Sequence, residues 1–378
     1  MIALVALAIG PAGNAFYTPP SPLPAQRDGA VIWVRRFDGG PALRSAAINY
    51  RLLYETVAPD GKFIAVSGML AIPSGVPPPG GWPIISWAHG TTGNGPQCAP
   101  SRFSSNDLEQ RAMNAMVQRG YAVAQTDYEG NGTPGIHPYF VASALARDVT
   151  DIVRAAREID PQIGRRWIVM GHSEGGTAAL DTAAYGPAWA PELDLLGAVA
   201  YAPATHMETL VQNALFAQGP DDNTAFLGLM IEGFSLADPR VVLNQMLTPD
   251  ALRILPELQQ QCIDELTRDS GWTRIDPREI FRPQADVQAL YDDVAANTDV
   301  DAFKIAVPVL LVQGGSDEFI DSASVVWLKD KLCRAGTPAT FRGFPSATHG
   351  TILLQADATV AAWTAQRFAN ESPRCQVL

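Results

Sequence analysis

One serine stands in a pattern that could make it a nucleophile. It is Ser173, in the run Gly171-His172-Ser173-Glu174-Gly175. A serine hydroxyl attacks poorly at neutral pH. It needs a base within hydrogen-bond reach, and the base needs an acceptor that fixes its tautomer. The pattern G-x-S-x-G serves that chemistry only in a sharp turn from strand into helix. The flanks fit: Trp167-Ile168-Val169-Met170 reads as a buried strand, and Gly176-Thr177-Ala178-Ala179-Leu180 as the first turns of a helix. In such a turn a side chain at Gly171 or Gly175 collides with the neighbouring strand or helix. The N–H of Glu174 then points at a developing oxyanion. The duller reading is a glycine-rich turn with a chance serine; the flanking strand and helix favour the nucleophile.

In this arrangement the chain order is serine, then an acid, then histidine. The chain has five histidines: His89, His137, His172, His206 and His349. The first three precede Ser173, and His206 leaves almost no room for an acid before it. His349 remains as the base, in a loop after the last strand, followed by Gly350. The acid belongs in the loop after the preceding strand. Asp317 comes first there, past Gly314-Gly315, with Glu318 and Asp321 as rivals and a helix N-cap as its plainer role. His89 is read as shaping the oxyanion region and His172 as packed. His137 and His206 are either solvent-facing or pocket-lining. A second oxyanion donor would come from the His89-Gly90-Thr91 turn or from Asp127.

These groups must be brought together by the elements between them. Val31–Val34, Ala46–Val57 and Lys62–Ile72 read as strands, the last two paired through an Asp60-Gly61 turn. From Pro83 onward strands and helices alternate. Strands are expected at Pro83–Ala88, Tyr121–Thr126, Trp167–Met170, Leu196–Ala202, Val307–Gln313 and Ala339–Phe344. Helices are expected from Asn106 (capping, with Glu109 reaching back) to Gly120, and over Ala142–Ile159, Ser324–Arg334 and Ala356–Phe368. This is an α/β chain with a mostly parallel central sheet and an antiparallel edge. The alternation breaks between about Thr205 and Thr298. That stretch reads as helical, punctuated by Pro220-Asp221-Asp222, Pro239, Pro249 and Pro256. It is too long for one crossover and is expected to be an inserted helical cap.

The bulk composition excludes some functions. The 378 residues are 47% hydrophobic and carry a formal net charge of -12. So acidic a chain is a poor binder of nucleic acid or anionic lipid, although apolar adsorption to a neutral lipid surface stays open. Gly130-Asn131-Gly132-Thr133-Pro134-Gly135 matches G-x-G-x-x-G, but Pro134 and Pro138 prolong the loop where a dinucleotide fold needs a helix. The apolar run Ile2–Ile9, with small residues at Gly13 and Ala15, reads as an export signal over residues 1–15, although a basic start is missing. The core is then 16–204 and 301–378, with the cap at 205–300. Cys98, Cys262, Cys333 and Cys375 lack zinc-ligand spacing. In an exported chain they suggest two disulfides with three connectivities open.

With these residues in place, the chain resembles the secretory lipase family of α/β-hydrolases. The resemblance rests on His89-Gly90-Thr91-Thr92-Gly93, Asp127-Tyr128-Glu129-Gly130, Gly171–Gly176, Gln313-Gly314-Gly315-Ser316-Asp317 and His349-Gly350, which span most of the chain. It implies a Ser173–Asp317–His349 triad and an oxyanion hole from Asp127 and the Glu174 N–H. It also implies a capped, lipid-accepting pocket and disulfides Cys98–Cys262 and Cys333–Cys375. The implied activity is cleavage of acylglycerols or other lipid esters without metal or organic cofactor, by a protein secreted or held in the cell envelope. One local departure is Glu174, where a smaller residue would sit comfortably after the serine; it bears on the shape of the acyl pocket. Two other readings are a serine peptidase or acyltransferase on the same fold, and a non-catalytic lipid-binding protein. A peptidase would need cap carboxylates such as Glu232 and Asp238 to hold a substrate amine.

Overall fold

The computed structural model describes residues 7–103, 107–216, 219, 223–371 and 373–377, with Asp301 described by its backbone alone. Asn106 and its expected capping role lie outside the described residues, as do the Pro220-Asp221-Asp222 punctuation and residues 1–6 of the expected signal.

The first strands form an antiparallel edge: β1 (Val31–Arg36), β2 (Ile48–Val57) and β3 (Phe63–Ile72). The parallel part follows, with β4 (Trp82–Ala88), α1 (Asp107–Gln118), β5 (Ala122–Thr126), α2 (Ala142–Ile159), β6 (Ile163–His172), α3 (Glu174–Trp189) and β7 (Asp194–Tyr201). The sheet is ordered β1-β2-β3-β5-β4-β6-β7 and continues into strands named below. After β4 the chain crosses to β5 on one side, then returns to β6 on the other. That reversal opens the crevice at strand carboxyl ends where α/β sheets bind ligands.

Between β7 and β8 lie seven α-helices among the described residues: α4 (Glu208–Phe216), α5 (Thr224–Phe234), α6 (Leu243–Met246), α7 (Pro249–Leu258), α8 (Ile263–Asp269), α9 (Gly271–Arg274) and α10 (Val287–Thr298). The only extended pairing there is a single bridge between Leu247 and Phe281, among the described residues. These helices bury a core of their own around Leu229, Met230, Trp272 and Leu290, joined by Tyr139, Phe140 and Val141 from the loop after β5. The chain then resumes with β8 (Val309–Gly314), α11 (Ser322–Arg334), β9 (Ala339–Phe344), α12 (Ile352–Gln355), α13 (Asp357–Phe368) and β10 (Gln376–Val377).

The period-2 pattern of the central strands explains the two-faced sheet. Val169 and Ala198 face the apolar layer that holds Val149 of α2, Ala178 of α3 and Leu328 of α11. Their neighbours Met170 and Val199 face the opposite layer, with Met113 of α1 and Trp363 of α13. The strand β6 begins four residues before its apolar run. Gly164-Arg165-Arg166 lack the hydrophobic signature, yet the backbone still pairs Ile163 with Trp82 and Arg166 with Asp194. The two-residue β10 has no sequence signal; it pairs in parallel with β9 beside the Cys333–Cys375 bond. The other disulfide is Cys98–Cys262. It ties the loop after β4 to the N-terminus of α8, where the Ile263 N–H also donates to Thr92 O at 2.9 Å.

Candidate active site

The backbone at Ser173 is the first feature of the site. Its φ of 57° and ψ of -120° lie outside the helical and extended regions, as a strained turn between strand and helix requires. Glycine is obligatory on both sides for a steric reason that the structure makes explicit. A Cβ on Gly171 would overlap the Gly175 carbonyl, and one on Gly175 would overlap the Ala88 carbonyl. The Ser173 N–H donates to Tyr201 O at 2.9 Å, and Ser173 O accepts from Gly176 and Thr177. Glu174 opens α3, so its N–H is one of the helix's orphan donors.

Asp317 and His349 are brought together from the loops after β8 and β9. His349 Nδ1 lies 3.1 and 3.0 Å from the two Asp317 carboxylate oxygens. The carboxylate also accepts the N–H groups of Phe319 and Ile320, each at 2.9 Å, and Gln313 Nε2 at 2.9 Å. Burial works to raise the Asp317 carboxyl; His349 and the two backbone donors outweigh it and hold the group below its ordinary value. The rivals have other work. Glu318 accepts the His349 backbone N–H at 3.2 Å, and Asp321 precedes α11, its carbonyl accepting from Ser324.

The histidine loop is anchored beside the serine. His172 Nε2 donates to His349 O at 2.8 Å, and the two rings stand 4.6 Å apart. The Ser173 hydroxyl makes no hydrogen bond among the described residues. Such contacts commonly tighten only when substrate arrives.

Asp127 is committed elsewhere. Its N–H donates to Ser67 O at 2.8 Å. Its carboxylate accepts Ser101 N–H at 2.8 Å, the Ser67 hydroxyl at 2.5 Å and the Ser101 hydroxyl. Burial raises this carboxyl above its ordinary value, against those hydrogen bonds. It follows β5, two strands from the serine's β6, whereas the His89-Gly90-Thr91 turn follows the adjacent β4. The Gly90 N–H is held at 3.0 Å by Glu109 Oε1, while Glu109 Oε2 accepts Trp87 Nε1 at 2.8 Å. Glu109 was legible only as a helix-start residue; its contact with Gly90 depends on where α1 crosses the sheet.

His137 and Glu174 form a pair that the residue pattern did not reveal. Nε2 of His137 meets Glu174 Oε1 at 2.7 Å, with both side chains at most 3% exposed. The large residue after the serine is thus accommodated by a buried partner from the loop after β5. His206, the other undecided histidine, lies just before α4 with Nδ1 2.8 Å from Asp299. The G-x-G-x-x-G run stays in a loop, with no helix between Thr126 and Ala142.

A mostly parallel sheet with a strained serine turn after its central strand, an Asp–His pair on the loops after β8 and β9 and a helical insertion defines the α/β-hydrolase class. The sequence profile of the secretory lipase family matches residues 99–375. The chain belongs to that family, which makes it a hydrolase of lipase type. Among relatives, it is 23% identical to the secreted triacylglycerol lipase LIP3 of Malassezia globosa, covering 96% of this chain and 82% of that one. It is equally 23% identical to a Mycobacterium tuberculosis protein named "Probable inactive lipase MT1628", covering 96% and 83%. Among solved structures, Candida antarctica lipase A aligns with a TM-score of 0.79 at 16% identity, over 96% of this chain and 88% of that one. Among the described residues no helix is long and apolar enough to cross a membrane.

Proposed function

We propose that the protein is a secreted serine carboxylic-ester hydrolase that cleaves acylglycerols or other lipid esters through an acyl-enzyme. The observation that carries this reading is the seating of His349. Its Nδ1 is fixed between the two oxygens of Asp317, while its carbonyl is gripped by His172, the residue next to Ser173. With Nδ1–H donating to Asp317, Nε2 is left with a lone pair. It takes the Ser173 proton as Oγ attacks the ester carbonyl, then gives that proton to the departing alcohol oxygen. Asp317 stays ionised and steadies the imidazolium. Water, deprotonated by the same Nε2, then attacks the acyl-enzyme, and Ser173 recovers its proton as the fatty acid leaves. The oxyanion is held by the Glu174 N–H and, in our reading, by the Thr91 N–H rather than Asp127. The 1–15 export signal, the core at 16–204 and 301–378 and the cap at 205–300 belong to the same proposal.

A peptidase role is less well supported. Glu232 is enclosed by Asn94 and Gln259 and Asp238 is paired with Arg240 at 2.6 Å, so neither is open to a substrate amine. Ser173→Ala tests the hydrolase reading. It should abolish p-nitrophenyl ester turnover and fluorophosphonate labelling with an unchanged circular dichroism spectrum. Full turnover by this variant, or an inert wild-type protein, would sink the reading, and one relative's name makes the second outcome worth checking first.

A further inference from the structure

A short segment after β5 touches both walls of the oxyanion site. The loop closes on itself at Gly130, whose φ is +73°; a Cβ there would overlap the backbone of Ile136 and His137. This fixes the start of the segment His137-Pro138-Tyr139. The His137 ring is stacked on Tyr128 with centroids 5.2 Å apart and an interplanar angle of 13°. Both its nitrogens face acceptors: Nδ1 the Glu129 carbonyl at 3.2 Å, Nε2 the Glu174 carboxylate at 2.7 Å. Two residues on, Tyr139 OH meets Thr91 Oγ1 at 2.7 Å. His137 and Tyr139 are linked by a backbone hydrogen bond of 2.8 Å, and each is only 2% exposed. One rigid unit therefore bonds to the side chain of Glu174 on one wall and to that of Thr91 on the other.

The same unit is the floor on which the cap rests. Tyr139, Phe140 and Val141 are part of the cap's apolar core. Helix α5 comes so close that a Cβ on Gly233 would stand 2.5 Å from Tyr139 N and 2.9 Å from Tyr139 O. The neighbouring Glu232 bonds Asn94, in the loop after β4, at 3.2 Å. Glycine at 233 thus permits backbone-to-backbone seating of α5 on the segment.

We propose that His137 and Tyr139 are positioning residues. They hold the Glu174 and Thr91 amides at a fixed spacing and make that spacing depend on the seating of α5 at Gly233. This inference rests on the hydrolase reading above and assigns the parts of its oxyanion site. Such donors act only when they stand where the oxygen will be in the transition state, so a small displacement lowers kcat more than it weakens ester binding.

The test uses the full chain and a soluble ester, p-nitrophenyl butyrate, with kcat, KM, fluorophosphonate labelling rate and melting temperature measured for each variant. Tyr139→Phe removes the bond to Thr91 and keeps the ring; it should lower kcat about tenfold with KM within about twofold. Glu174→Ala should lower kcat about a hundredfold, whereas Glu174→Gln, which keeps an oxygen for His137, should recover to within about fivefold of wild type. Gly233→Ala should lower kcat about tenfold, although it lies outside the triad. Should Glu174→Ala not fold, Tyr139→Phe, Glu174→Gln and Gly233→Ala decide the matter. The inference is overturned if Tyr139→Phe and Gly233→Ala keep full kcat while Ser173→Ala is dead. It is also overturned if Glu174→Gln loses as much as Glu174→Ala at equal melting temperature. A fully active Ser173→Ala instead refutes the hydrolase reading, and this inference with it.

Discussion

Replacing Asp317 with asparagine changes one atom, and the structure shows which way the new side chain must face. The carboxylate oxygen Oδ1 accepts two backbone N–H groups, from Phe319 and Ile320. An asparagine that turned its NH2 toward them would oppose two donors with a third. Asn therefore keeps its oxygen there and puts its NH2 at the Oδ2 position, facing Gln313 Nε2 and His349 Nδ1. Gln313 cannot resolve this by flipping, because its Nε2 also donates to the Ile320 carbonyl at 3.0 Å. His349 meets that NH2 by carrying its proton on Nε2 and presenting Nδ1 as the acceptor; the retained oxygen, 3.1 Å from Nδ1, is the competing acceptor for an Nδ1–H, but it is already shared by two backbone N–H groups. That tautomer has no lone pair on Nε2 to take the Ser173 proton. Asp317→Asn should thus lower kcat by roughly 10³–10⁴, equivalent to about 4–5.5 kcal/mol of transition-state stabilisation. The fold should lose only about 1–3 kcal/mol, the cost of one buried donor left unsatisfied. The assay is kcat on p-nitrophenyl butyrate, with a denaturant melt on the same sample. A folded Asn variant within tenfold of wild-type kcat would refute the assignment of Asp317 as the group that orients His349.

Three further outcomes follow from the same geometry. Gly175→Ala should destabilise the fold by at least about 3 kcal/mol, since the new Cβ meets carbonyl oxygens rather than movable side chains; a normal denaturant midpoint would contradict this. Removing the Cys98–Cys262 bond, which spans 164 residues, should cost up to about 5 kcal/mol by the loop-entropy argument; Cys98→Ser and Cys262→Ser should show equal losses by chemical denaturation. Glu129 is raised to about 8, first by burial and then by Asp60. Its folded value lies above its ordinary 4.5, so the stability it contributes is full below pH 4.5 and declines as pH rises toward 8, by at most about 1.4 kcal/mol per pH unit. Melting temperatures at pH 5 and pH 8 should differ by less in Glu129→Gln than in wild type, and an unchanged difference would refute this.

Much of the candidate site was legible because chemistry and chain order constrain it. Five histidines, only one of them far enough past Ser173, singled out His349 before any geometry was known. The glycines at 171 and 175 announced a crowded turn, and the 3.6-residue period of 142–159 marked α2 over the residues it occupies, Ala142–Ile159. Buried strands such as Val309–Gly314 declared themselves by continuous apolar runs. Where a strand lacked such a run, as in the polar start of β6 or the exposed β10, sequence carried no sign of it, because ladder hydrogen bonds are made by backbone of any residue type.

What the amino-acid order determined by itself was local: strained turn, alternating elements, candidate nucleophile, acid and base. What only the tertiary structure decided was every relation between groups distant in the chain. Glu109 turned out to grip the Gly90 amide, His137 to face Glu174, and Asp127 to be occupied by Ser67 and Ser101. The physical reason is that a buried polar side chain must find a partner wherever folding delivers one. Which partner that is depends on strand order and loop closure, and neither leaves a mark on the residue itself.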